Sequence, residues 1–125
     1  MSEEIFAGET VIGDEVVASI AGLAAKEVKG VAGLGKSTVR RTLIEHLGGA
    51  EDRARIGVKA EVGKTECIID LQLIVLYGVS IPKIINEVRK QVALRLMELI
   101  GLIAKEINVH VVGIEILEKK QTKSE

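Results

Sequence analysis

The sequence predicts an α/β two-layer sandwich: a three- to four-stranded mixed sheet with two long helices packed on one face. Three observations point there. Two apolar stripes at helical spacing are separated by a hairpin pattern of alternating residues, and an extended stretch follows the second stripe. The chain has 125 residues, 47% hydrophobic and 28% charged, which suits one folded core and is too short for two. The expected order is β-α-(α)-β-β-α-β, with residues 1–117 as one domain and 118–125 as a charged, frayed tail.

A short edge strand is expected over Glu9 to Ile12. The first helix should run from Asp14 to Lys29, because Asp14 and Glu15 suit the positive end of a helix dipole. Val16, Val17, Ile20, Leu23, Ala24 and Val28 supply its stripe, and Gly30 suits a left-handed terminus. A glycine-rich connection to Gly35 leads to a short helix from Ser37 to Leu47, stopped by Gly48 and Gly49. Arg55 to Val62 alternates, with Ile56, Val58, Ala60 and Val62 on one face; Glu66 to Tyr77 returns antiparallel after Gly63-Lys64. Ser80 caps a second helix over Ile81 to Ile100, Pro82 sits in its first turn and Gly101 ends it. Ile81, Ile84, Ile85, Val88, Val92, Leu96 and Leu99 form its core stripe. A last strand covers Lys105 to Leu117, with a bulge expected at Gly113. The outer sheet face then carries Lys59, Glu61, Asp70, Gln72, Asn108 and His110.

The composition narrows the function classes. Lys and Arg number 17 against 18 acidic residues, a net charge of −1, which disfavours a general nucleic-acid or membrane-surface polycation. The lone Cys67 excludes an internal disulfide and a cysteine-rich zinc site, and His46 and His110 leave little for a catalytic metal. Phe6 and Tyr77 are too few for a base-stacking platform. The acidic N-terminus (Ser2, Glu3, Glu4) is unlike a signal peptide, and no stretch matches a membrane span, so a cytoplasmic protein is expected.

Two glycine motifs compete over one segment. Gly30 to Ser37 formally matches GxxxxGK[ST], whose glycines would let backbone N–H groups cradle phosphates, with Lys36 on the β and γ oxygens and Asp70 as the metal-binding acid. That loop needs a buried strand before it, whereas a helix is predicted there. Gly30-Val31-Ala32-Gly33 also reads as the GxxG of a KH-like single-stranded RNA-binding module, with Lys36, Arg40 and Arg41 as its basic residues. The slight negative charge and uncharged loop count against it, so nucleic acid is not an expected partner. His46 suits a helix C-terminus, His110 a cross-strand contact, and Cys67 a small buried position. No nucleophile–base set or carboxylate pair can be assembled, so the chain is expected not to be an enzyme and no cofactor or metal site is expected. Leu94 and Met97 lie opposite the core stripe of the second helix, which marks them either as an interaction surface for a homo-oligomer or as a patch covered by the Ser37–Leu47 helix or the N-terminal arm with Phe6; Ile74, Leu76 and Val112 on the outer sheet side are a second candidate patch.

Three blocks resemble the alkaline shock protein family of bacterial envelope-stress proteins. They are Gly13-Asp14-Glu15-Val16-Val17-Ala18-Ser19-Ile20-Ala21 running to Glu27-Val28-Lys29-Gly30-Val31; Asp70 through Tyr77-Gly78-Val79-Ser80-Ile81-Pro82; and Gly101-Leu102 leading to Glu106-Ile107-Asn108-Val109-His110-Val111-Val112-Gly113-Ile114. The resemblance implies a non-enzymatic, stress-related scaffold. It would act from the cytoplasmic side of the envelope through protein partners, a membrane-anchoring protein among them, without inserting into the membrane itself.

Overall fold

The computed structural model describes residues 7–35 and 56–117. Its elements are α1 (Asp14–Lys26), β1 (Val31–Leu34), β2 (Val58–Val62), β3 (Glu66–Leu76), α2 (Ile81–Ile100) and β4 (Ile103–Glu115). The sheet is mixed: β1 and β2 pair antiparallel with β3, and β4 pairs parallel with it. Both helices pack on the face of β3 that points Cys67, Ile69, Leu71, Leu73 and Val75 into the core. Lys59, Glu61, Asp70, Gln72, Asn108 and His110 are exposed or half-buried on the other face, as the alternation requires.

β1 and β2 are two halves of one strand. Leu34 pairs with Leu73 and Val58 with Leu71, so both halves run along the same edge of β3. Between them, the Gln72 carbonyl accepts from the Gly35 N–H at 3.0 Å, and the Gln72 N–H donates to the Gly57 carbonyl at 2.9 Å. Gly35 and Gly57 therefore lie side by side at one point on this edge. Gly57 makes that neck possible: its φ is +74°, and a Cβ there would lie 2.5 Å from the Gly35 nitrogen.

This corrects the expected glycine-rich connection. Val31-Ala-Gly-Leu34 looks like a linker in sequence, yet it is a strand because the end of β3 has an open edge to pair. The expected strand over Glu9 to Ile12 is absent; residues 7–13 have no regular structure. The helix expected over Ser37 to Leu47, His46, Gly48 and Gly49 lie outside the described residues, as does the tail 118–125.

Helix α2 has the expected bounds. The Ser80 hydroxyl accepts from the Lys83 N–H at 3.5 Å, and Pro82 falls where no N–H is needed. Gly101, at φ 69°, turns the chain left-handed, its N–H donating to Met97 O and that of Leu102 to Leu96 O. Ile84, Val88, Val92 and Leu96 are buried, but Leu99 is 62% exposed, which corrects the expected stripe. A row spaced by four drifts about 40° per step around a helix of 3.6 residues per turn, so the buried face has moved towards Ile100 by the last turn.

Helix α1 stops at Lys26, three residues short of expectation; Glu27 to Gly30 form a turn into β1. Gly30, with φ +101°, is not the helix cap but the corner of that turn, and a Cβ there would lie 2.8 Å from Ile84. The buried face of α1 also differs. Val17, Ala18, Ala21, Gly22, Ala24 and Ala25 face the core, whereas Val16 and Leu23 face solvent. Small side chains let α1 lie close to α2 and β2, where larger ones would overpack the layer.

Replacing residues 36–55 with three glycines is expected to leave a cooperative thermal transition and an unchanged circular dichroism signature for the sheet, because the neck already joins Gly35 and Gly57. Gly57→Ala in the full chain should cost about 2 kcal/mol or more in denaturant unfolding, from positive φ and backbone overlap together. Leu96→Ala, at a fully buried position, should cost roughly 2–5 kcal/mol in the same measurement.

Candidate functional site

A row of polar residues runs along the outer sheet face. Asp70 and Asn108 are register partners on β3 and β4, and the Asn108 side-chain amide donates to Asp70 Oδ1 at 2.9 Å and to Glu106 Oε1 at 3.5 Å. His110 lies opposite Gln72 and is exposed. Among the described residues no three His, Cys, Asp or Glu side chains come together as a metal site. Asp70 is thus engaged by Asn108, and it stands on a central strand that the Gly30 segment joins only edge to edge. Cys67 is buried at the start of β3, and burial pushes its thiol above the ordinary range, which keeps it protonated and unreactive.

The two glycine motifs meet a different structure from the one each needs. Gly30 is the corner before β1, and Gly33 lies inside β1 opposite Ile74. Lys36, Arg40 and Arg41 lie outside the described residues. A shallow depression of about 340 Å³ sits at the β2–β3 turn, lined by Glu61, Lys64, Glu66 and Lys105 among others. Its charges alternate in sign, and no buried polar side chain points into it.

Exposed apolar side chains lie along β4, where Ile103, Val112 and Ile114 are 50%, 38% and 54% exposed, and on the outer surface of the helix layer. Leu94 is 44% and Met97 47% exposed on α2. On α1, Val16 and Leu23 are 46% and 52% exposed, spaced by seven residues and so on one helical face. Glu27 continues that face and accepts a hydrogen bond from the guanidinium of Arg95, next to Leu94. That ion pair links α1 to α2. Leu94 and Met97 were legible from helical spacing. Val16 and Leu23 were assigned to the core instead; the run of small residues at 18, 21, 22, 24 and 25 was the signal that the buried face lay elsewhere.

Comparison with known proteins gives the same assignment as the blocks in the sequence. A family profile described as alkaline shock protein 23 family, cell envelope-related function, matches residues 2–116. The chain belongs to that family. Among its relatives is the uncharacterized protein YqhY of Bacillus subtilis (strain 168), 34% identical over 95% of this chain and 86% of that protein. Another is YloU of the same organism, 29% identical over 87% of this chain and 90% of that one. A protein of Streptococcus pyogenes named stress response regulator gls24 homolog is 30% identical over 90% of this chain, which spans 62% of it. This alkaline-shock-family chain is thus related to stress-response proteins, and no described helix is long and apolar enough to cross a membrane.

The Glu27–Arg95 pair gives the helix layer a pH dependence. The hydrogen bond from Arg95 holds the Glu27 carboxyl below its usual 4.5, and the charge of Arg95 adds to it. A depressed folded-state value means the contribution is present above the ordinary carboxylate range and is lost as pH falls through the folded value. The wild type should therefore melt slightly above Glu27→Gln at neutral pH, and the difference in Tm should shrink as pH falls below the ordinary carboxylate range. Thermal melts across pH check the sign.

Proposed function

We propose that this chain is a non-enzymatic scaffold of the cell-envelope stress response, acting from the cytoplasmic side through protein contacts, and that the outer surface of its helix layer is one of them. The observation that carries this reading is Leu94, Met97, Val16 and Leu23 exposed on the helix layer. Large apolar side chains shared between two adjacent helices mark an association surface more than isolated exposed residues do. Family membership and the stress-regulator name of a relative support the envelope setting. The contact suits a second copy of the chain or an anchoring protein of similar apolar face.

Light scattering coupled to size exclusion tests it. The wild type should self-associate at high micromolar concentration, and Leu94→Glu with Met97→Glu should weaken that association while keeping the wild-type circular dichroism and melting behaviour. A wild type that stays monomeric contradicts the self-contact, and a double variant that unfolds places both side chains in the monomer's own core.

A further inference from the structure

We propose that the edge of β4 left unpaired among the described residues pairs antiparallel with β4 of a second copy, centred on Val109, to join two sheets into one. This deepens the scaffold reading by naming a second contact, on a different part of the molecule from the helix layer.

β4 is the longest strand, and among the described residues it pairs only with β3. Two register shifts interrupt that pairing, one at Lys105 and one at Val112, and Glu106 to Val111 is straight between them. Long, straight edges normally carry a device against pairing, such as a proline or an inward charge. The two shifts in register are such devices and confine the pairable edge to Glu106–Val111, which has neither a proline nor an inward charge; its acid, Glu106, stands at its end on the outer face. The edge does carry one guard. Arg89, from α2, donates through Nε to the Ile107 carbonyl at 2.9 Å, so this carbonyl is open to donors other than those of β3. Backbone groups two residues apart share an edge, so those of Val109 and Val111 face the same way as Ile107.

The run is self-complementary about its midpoint. Val109 is the centre of Ile103–Glu115. An antiparallel two-fold there sets Val109 against Val109 and Ile107 against Val111, each pair exchanging N–H···O bonds. Asn108 then falls opposite His110 on the outer face, an amide facing an imidazole. Beyond the run, Glu106 falls beside Val112 and Lys105 beside Gly113, so no like charges meet. That match between a strand and its own reverse is what favours a second copy over an unrelated peptide. Arg89 releases the Ile107 carbonyl to the partner's N–H and keeps its charge in water.

The full chain allows a test that separates this contact from the helix layer. In the Leu94→Glu, Met97→Glu background, light scattering should still find a dimer, and adding Asn108→Lys with His110→Lys should abolish it, because four ammonium groups would crowd one seam. A disulfide experiment reads the register even if the lysine variant fails to fold. Protein carrying Asn108→Cys, mixed with protein carrying His110→Cys under mild oxidation, should give a covalent dimer that neither gives alone, since the close non-hydrogen-bonded pair is 108 with 110. A monomer in the Leu94→Glu, Met97→Glu background would overturn the edge contact and leave the helix-layer reading standing. Cross-linking as strong in either single variant as in the mixture would also overturn it.

Discussion

β3 is the strand on which the rest of the molecule depends. Every other strand pairs with it, and both helices close over its inner face. Its alternation divides the two environments of the protein: Cys67, Ile69, Leu71, Leu73 and Val75 are buried, while Asp70 and Gln72 between them meet the polar surface. A slip of one residue would exchange those sets and bury a carboxylate without a charged partner. The backbone of Gln72 also ties both halves of the split strand, through Gly35 and Gly57.

The elements that came straight from the sequence are those specified by local chemistry. Ser80, Pro82 and Gly101 delimit α2 by capping, a steric rule and a left-handed turn, and each acts within a few residues. The β2–β3 pairing follows from alternation beside a tight turn. What the sequence concealed depends on distant parts of the chain. β1 has four residues and three flanking or internal glycines, and it exists because β3 offers it an edge. The buried face of α1 is decided by how closely α2 and β2 approach, so alanines displaced Val16 and Leu23 from the core. Leu99 left it because α2 follows a four-residue row across the sheet rather than a fixed line.

The candidate site divides along the same line. Leu94 and Met97 were visible because helical angle alone sets them opposite the stripe of Ile84, Val88 and Val92. The phosphate-loop and GxxG patterns were visible too, but their glycines serve the fold: Gly30 clears Ile84 at a corner, and Gly33 sits within a strand. A glycine motif reports a need for backbone space, and only its surroundings tell whether a ligand or a neighbouring chain segment fills that space. The described surface carries exposed apolar side chains and a shallow depression at the β2–β3 turn.

Amide hydrogen exchange at dilute and concentrated protein tests most directly the claim that this chain works through its surfaces. Amides of β3 should exchange slowly and identically at both concentrations, as expected for the strand that opens only with global unfolding. Amides of Val109 and Val111 on β4 should gain protection as concentration rises. Exchange that is independent of concentration along β4 and the helix layer, with β3 no slower than its neighbours, would contradict both the association and the central role of β3.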